Sequence, residues 1–338
     1  MMFPITAWLF HRQEQLAVEV LEMTDIGDNW LPGLFDIEIH LTYDGETHAG
    51  RGQSFDRDLA VEKACAEAIE RLGFAEWGRR TSRPLTSSGF AAHRTHRKAS
   101  LKAKSEIIER DVLMCSMLSG AKFRLVPPEF LKAIDPRFQT LLRRLRKAGI
   151  DLKTAELASD FKERVFLSSA FGHGFRKPFG CNIGMGISKN PSEAIEKSIQ
   201  ECLMMISYNL AGVKTPSLSL NKFAKLKKPE FVEHSQLGFD LKYARGFEKR
   251  FAELDSDRRL MTVDTKLYES FKVESIALPK PFDSCPIAIV RAENRKLQQV
   301  ILGVPDRERM NEPRLKRYAK SLQSELRLET FNLIHVLG

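Results

Sequence analysis

The sequence predicts a mixed α/β protein built around a repeated strand-and-helix element, and three observations predict it. Residues 35–43, FDIEIHLTY, alternate Ile37, Ile39, Leu41 and Tyr43 with Glu38, His40 and Thr42, the period of a half-buried strand. From Asp56 to Trp77 the apolar positions Leu59, Ala60, Ala64, Ile69 and Leu72 change to helical spacing. That helical pattern then recurs: Ala60, Ala64 and Glu67 return as Ala99, Ala103 and Glu106, and again as Ala194, Ser198 and Glu201, with identical spacing.

The remaining elements follow in order. A second helix is expected from about Thr95 to Leu118, and a third from Pro191, a natural first-turn residue, to about Leu210. Between them VPPEF is a break, LLRRLRKAG reads as a helix closed by Gly149, and RVFLSSAFG reads as a buried strand. Residues 214–230, polar and basic with a proline near each end, are the candidate linking segment. RLMTVD, PIAIVRA and QQVILGVP look strand-like, and a charged helix is expected from about Glu312 to Arg327. The expected organisation is one unit, with residues 1–44 a strand region leading into a main domain over 45–338.

The 338 residues are 43% hydrophobic and 29% charged, which suits a globular protein and excludes a disordered or collagen-like chain. No apolar run reaches the roughly 18 residues of a membrane span, and the first residues lack the pattern of an export signal. Five cysteines form no CxxC pair, so neither a zinc ribbon nor a disulfide framework is indicated, and a cytoplasmic location is expected. The net charge of +9 points to anionic partners without choosing among nucleic acid, nucleotide phosphates and acidic peptides.

The glutamates narrow that choice. In a helix, positions four and three residues apart share one face, so each copy puts two small residues and a glutamate on the same side. The first two copies add a further Glu and then an Arg: Glu67, Glu70, Arg71 and Glu106, Glu109, Arg110. On one helix this is ordinary solvated charge pairing. Three copies with small residues on the glutamate face imply instead a packed face, and buried carboxylates require cations. Mg²⁺ bridging carboxylates to nucleotide phosphates meets that requirement, with Arg51, Arg71 and Arg110 facing phosphate oxygens or holding the carboxylates. Glycines precede each copy (Gly50 and Gly52, Gly89, Gly184 and Gly186), as in turns whose N–H groups face a phosphate.

GRGQSFDRDLAVEKACAEAIER (50–71), SSGFAAHRTHRKASLKAKSEIIERD (87–111) and GCNIGMGISKNPSEAIEKSIQE (180–201) resemble, in order and spacing, the three nucleotide-site segments of the YcaO family, a likeness covering about residues 45–338. The resemblance implies an α/β fold that is neither P-loop nor Rossmann, binding ATP and Mg²⁺. It implies Glu67, Glu70, Glu106, Glu109 and Glu201 as metal and nucleotide ligands, Arg51 in the place of the family's GKG lysine, Arg71 and Arg110 at the cofactor, and Glu106, Glu109 and Arg110 at the catalytic centre.

The implied activity is ATP-dependent activation of peptide backbone amides, giving an azoline, thioamide or amidine in a ribosomally made peptide or protein. The alternative is a noncatalytic ATP-binding accessory subunit. Implied partners are the precursor peptide and a ubiquitin-activating-like or TfuA-like protein; a homodimer is compatible, while nucleic acid and membrane are disfavoured. The sequence departs from the family pattern at Arg94, Lys98 and Met204, and in its proline-free tail FNLIHVLG. His93, His96, His173, Cys115 and Cys202 read as structural, and the basic runs 143–147 and 222–228 as solvated faces.

Overall fold

The computed structural model describes residues 4–16, 18, 20–25, 30–81, 87–210, 217–227, 229, 231–253, 263–304 and 307–322. In chain order it holds α1 (Pro4–His11), β1 (Val20–Asp25), β2 (Phe35–Tyr43), β3 (Glu46–Ser54), α2 (Arg57–Thr81), β4 (Phe90–His93) and α3 (His96–Leu118). Next come β5 (Phe123–Leu125), α4 (Pro128–Ile134), α5 (Arg137–Lys147), β6 (Asp151–Leu157), β7 (Arg164–Phe171), β8 (Cys181–Ser188) and α6 (Pro191–Leu210). The last are α7 (Leu220–Phe223), α8 (Phe231–Gly238), α9 (Leu241–Glu248), β9 (Phe251–Ala252), α10 (Thr265–Glu269), β10 (Lys272–Ile276), β11 (Ala288–Glu293) and α11 (Glu312–Ser321).

The chain forms two compact units, the first from residues 1–107 and 271–293 and the second from 108–270 and 294–338, so the division falls inside α3. The first unit has an antiparallel sheet in the order β1-β2-β3 and a second in the order β10-β11-β4. Asp44 and Gly45 join β2 to β3 with φ of 53° and 73°, the doubly left-handed turn that suits the twist of a two-residue hairpin. Ile37, Ile39 and Leu41 lie on one face of β2 and are wholly buried against Ala60, Ala64, Ala68 and Leu72 of α2. The second unit has a sheet in the order β8-β7-β6-β5-β9, with α6 packed on β7 and β8.

Three of the helices and the β2 strand are where the periodicity puts them, to within about a turn at the ends. The strand expected over residues 298–305 is not found: the described part, Gln298–Val304, is irregular. Its main-chain N–H at Gln298 donates to the buried Asp111 carboxylate instead of to a neighbouring strand. The linking segment also has more order than its composition predicts, because α7 lies within it and buries Phe223 completely. RLMTVD falls mostly outside the described residues, and the tail after 322 wholly so.

The repeat has a packing cause. A Cβ built on Gly50 would stand 2.2 Å from Ala64 O and Ala68 N, and one on Gly52 would stand 2.0 Å from Ala60 O. In the second unit a Cβ on Gly184 would reach Cys202 N at 2.2 Å and Ser198 O at 2.3 Å, and one on Gly186 would reach Ala194 O at 1.9 Å. Each strand therefore touches its helix backbone to backbone, and only glycine facing alanine or serine permits that approach. Gly50, Gly52, Gly184 and Gly186 are accordingly strand residues fixed by contact with the helix rather than phosphate-facing turns.

A different constraint anchors α3 within the second unit. Asp111, fully buried, is gripped by Arg314 of α11 through Nε and Nη2, the latter at 2.6 Å. The same guanidinium binds Asp160, with Nη2 2.7 Å from Oδ1. One cation thus bridges two buried carboxylates, and removing it would leave both uncompensated.

Two stability measurements check this account. Gly50→Ala or Gly186→Ala should lower unfolding free energy in denaturant titrations by about 1–3 kcal/mol or more, the cost of forcing extra volume into a full interior. Gly246→Ala, inside helix α9 with no atom within 4 Å of the added carbon, should not lower it and should raise it by about 0.5–1 kcal/mol, the helix-propensity gain of alanine over glycine. Arg314→Met should cost about 3–5 kcal/mol, the penalty for leaving two buried carboxylates without their shared cation.

Candidate nucleotide site

Each repeated glutamate closes its own strand-and-helix element. Glu67 accepts the main-chain N–H of Arg51 at 3.1 Å, and that residue lies between the two helix-touching glycines. Glu201 accepts the N–H of Met185, between Gly184 and Gly186, at 2.5 Å. Both pairs are 16 residues apart in the chain. The middle copy is built differently: Glu106 accepts the N–H of Gly89 at 3.2 Å, 17 residues back, in a turn where φ is +85°. A Cβ on Gly89 would meet Ala292 O at 2.4 Å, so this glycine is fixed by both conformation and space.

In the first unit three of the expected ligands come together. Glu70 on α2 accepts the N–H of Ala92 on β4 at 2.7 Å, while its charge interacts with those of Glu67 and Glu106. Burial, then repulsion from Glu106 and Glu67, pushes the Glu70 carboxyl up to about 8, against the opposing pull of Lys102 and Arg71. At neutral pH Glu70 therefore holds its proton on a carboxyl whose Oε2 still accepts from Ala92. Arg71 reaches Glu67 Oε1 at 3.2 Å, a half-buried pair one helical turn apart. Glu109, Arg110 and Glu201 belong to the second unit, where Glu109 and Arg110 are partly buried on α3. Among the described residues no group of three or more His, Cys, Asp or Glu side chains could hold a metal ion by itself.

The donor set nonetheless fits a hard divalent cation. Carboxylate oxygens are its preferred ligands, and phosphate and water oxygens complete a shell to which the protein contributes only one or two groups. Three carboxyls close enough to keep a proton on one of them are a place where positive charge is favoured.

Arg51 is assigned a different role from the one its motif position predicts. Its guanidinium forms a two-pronged pair with Asp36 on β2, Nε to Oδ1 at 2.7 Å and Nη2 to Oδ2 at 2.6 Å, and both side chains are buried. Gln53 adds a third bond to Asp36. Arg51 therefore fixes the sheet under Glu67, to which it offers its main-chain N–H. Asp36 was not among the sequence candidates; its only signal was an acidic residue one place ahead of the alternating apolar run.

Arg94 is explained in the same way. Its guanidinium lies 3.0 Å from Glu62, a buried carboxylate that also accepts Thr6 N at 2.8 Å and Thr6 Oγ1 at 2.9 Å at the start of α1. The charge at this position is matched within the first unit. Lys98 and Lys102 remain exposed on α3.

Burial raises Cys115 and Cys202 above the ordinary thiol range, so neither is a thiolate at neutral pH. His93 is lowered by burial, then by Lys102, Lys98 and Arg94, and His173 stacks on Phe171.

With this geometry in view, comparison with known proteins defines the class as ATP-grasping in neither the P-loop nor the Rossmann manner. A family model described as YcaO cyclodehydratase, ATP- and Mg²⁺-binding, matches residues 79–272, and the chain belongs to the YcaO family. The match is shorter than the span of the sequence resemblance and leaves out the segment holding Glu67 and Glu70. Structural likeness extends further. YcaO from Methanopyrus kandleri, solved with AMPPCP and Mg²⁺, aligns with a TM-score of 0.58 at 15% identity over 90% of this chain and 92% of its own. A heterocyclase solved with substrate and cofactor aligns at 0.60 and 14% identity over 88% of this chain but 52% of its own length. A chain of the E. coli microcin synthetase McbBCD complex aligns at 0.57 and 11% identity, covering 82% and 88%. At such identities the likeness establishes the fold. No protein of curated function matches the sequence. No helix among the described residues is long and apolar enough to cross a membrane.

The sign of the Glu70 effect can be tested without any ligand. Its folded pKa is raised from 4.5 to about 8, so the folded protein retains a proton that the unfolded chain releases. Thermal stability in EDTA should therefore fall as pH rises from about 4.5 to about 8. Glu70→Gln, which keeps the acceptor for Ala92, should flatten that dependence. A profile identical to wild type would show that Glu70 does not hold the proton.

Proposed function

We propose that this chain binds ATP with Mg²⁺ at the carboxyl cluster of Glu67, Glu70 and Glu106 and uses it to activate a backbone amide of a peptide or protein substrate. The observation that supports this best is the cluster itself. Three acidic side chains from α2 and α3 are each held by a main-chain N–H, and one is kept protonated by the others. Membership of a family described as ATP- and Mg²⁺-binding, and the AMPPCP and Mg²⁺ carried by the Methanopyrus relative, support the choice of ligand.

Bound ATP would supply the phosphoryl group that turns the amide oxygen into a leaving group after a nucleophile has added to the carbonyl carbon. The chain's own residues orient and balance charge. Arg51 and Asp36 fix the strand that presents Arg51 N–H to Glu67. Glu70 would give up its proton to make room for a bound cation, and Arg71 holds Glu67 in place. Glu109, Arg110 and Glu201 enter this reading through the family pattern, Glu109 and Arg110 with Glu106 at the reacting centre and Glu201 as a further ligand. The product class, azoline, thioamide or amidine, follows from the nucleophile. The heterocyclase solved with substrate and the multisubunit microcin synthetase support a peptide substrate and a partner protein for this chain.

The noncatalytic alternative draws on the cations at Arg94 and Lys98. The pairing of Arg94 with buried Glu62 removes half of that argument, because the arginine is matched within the fold.

Calorimetry with ATP and MgCl₂ tests binding. Glu67→Gln and Glu106→Gln should each weaken affinity about tenfold or more, the loss expected for one charge-assisted contact of about 1.4 kcal/mol or greater. Binding near pH 7 should release protons, seen as a dependence of the measured enthalpy on buffer ionisation heat that Glu70→Gln removes. Unaltered affinity in both Gln variants would refute the site. Peptide-dependent ADP formation, with a mass change of one lost water or one oxygen-to-sulfur exchange in the peptide, would separate enzyme from accessory subunit.

A further inference from the structure

The sheet of the first unit ends at β3, and the first half of that strand has an open outer edge. The Arg51 N–H goes to Glu67 rather than to β2, so Arg51 and Glu38 face each other without exchanging ladder bonds. Ladder bonds alternate with a period of two residues, so the pairs Ala49 with His40 and Thr47 with Thr42 are also of the unbonded kind. The hairpin gives the same phase independently, because a two-residue turn at Asp44 and Gly45 makes Tyr43 and Glu46 the bonded closing pair. The N–H and C=O groups of Thr47 and Ala49 thus point away from β2. Both residues are exposed, and among the described residues no strand pairs with this side of β3.

Further along, the edge is closed. Glu67 occupies Arg51 N–H, and Lys63 Nζ binds Gln53 O at 2.7 Å. Between the open stretch and α2 lies a cleft of about 460 Å³ lined by Thr47, His48, Ala49, Arg71 and Phe74 among others. His48 is 7% exposed, and its Nε2 has no hydrogen-bond partner. A buried polar atom without a partner costs free energy and calls for one. Burial keeps the ring neutral at physiological pH, so Nε2 either donates or accepts depending on tautomer, and a hydroxyl group satisfies both cases.

We propose that this edge and cleft take an extended segment of polypeptide as a fourth strand, bonded to the main chain of Thr47 and Ala49, with a serine or threonine side chain seated against His48 Nε2. The side chain opposite His48 in such a strand falls on the same face of the sheet, toward the wall formed by Arg71 and Phe74. Two open positions are too few for a stable edge-to-edge pairing of two copies, whereas a peptide also fills the cleft. The inference rests on the reading of this chain as a peptide-modifying enzyme, and deepens it. A strand started at Thr47 is stopped at Arg51 by Glu67, so the peptide is delivered beside the carboxyl cluster.

The test uses the full chain and the blocked peptide Ac-Val-Thr-Val-Ser-Val-Thr-Val-NH₂, followed by amide NMR. Saturating peptide should slow hydrogen exchange at the Thr47 and Ala49 amides by about tenfold or more. Ala49→Pro, which removes an N–H that β2 does not use, should abolish the protection at Thr47 while leaving Mg²⁺–ATP affinity unchanged. Replacing the central serine of the peptide by alanine should weaken binding to wild type roughly three- to tenfold, the value of one hydrogen bond, and have no effect on His48→Leu. That cycle stands even if Ala49→Pro does not fold. The proposal is overturned by millimolar peptide that leaves both amides unprotected, by equal serine and alanine affinities on wild type, or by peptide-free protection that grows with protein concentration, the mark of a second copy on the edge. Protection without Mg²⁺–ATP binding would refute the proposed function and leave the edge site standing; Mg²⁺–ATP binding without protection would do the reverse.

Discussion

The placement of Glu67 depends on how closely β3 lies against α2. Gly50 and Gly52 let the strand touch the helix backbone, and at that distance a glutamate one turn beyond the alanines reaches a main-chain N–H of the strand. The contact converts a flexible side chain into a fixed one. A carboxylate held by an N–H keeps its position through a neutral donor, so its place does not depend on a side-chain cation alone. The second unit repeats the arrangement with Gly184, Gly186, Ala194, Ser198 and Glu201, so one packing solution fixes two ligand candidates independently.

Holding carboxyls together has an electrostatic cost, and the fold meets it in three ways. Glu62 and Asp36 are matched by arginines, Asp111 and Asp160 share one, and Glu70 keeps a proton. The first two solutions are permanent and belong to the scaffold. The third is reversible, and Glu70 is one of the residues the family pattern implies as a ligand. Asp36, Glu62 and Asp111, which are matched by arginines, are all more buried than the ligand candidates.

The sequence reading was strongest where one periodic rule acts alone. Alternation over 35–43 and the spacing of small residues and glutamates on α2, α3 and α6 were legible because local spacing alone determines them. The role of the glycines was not: a glycine in a strand and one in a phosphate turn look identical until the partner helix is in place. Arg51 and Arg94 were misleading for a related reason. Motif position identifies a residue's place in the chain, but Asp36 and Glu62, which take up their charge, lie 15 and 32 residues away and carry no motif of their own. Residues 298–304 read as strand by composition, yet Gln298 N–H is committed to Asp111, 187 residues earlier. Such a contact leaves no local trace.

The glycine-to-glutamate clamp also serves as a ruler. Its geometry fixes the chain distance between the bonded N–H and the carboxylate at 16 residues in two copies and 17 in the third. Proteins sharing this fold agree with the chain at only 11–15% of positions, too few to align residue by residue with assurance. A pair of glycines flanking one residue, followed at this fixed interval by a glutamate with two small residues ahead of it, sets the register without reference to overall similarity. Remote chains could be ordered by whether they preserve the interval, and those that have lost it would have lost the preset carboxylate as well.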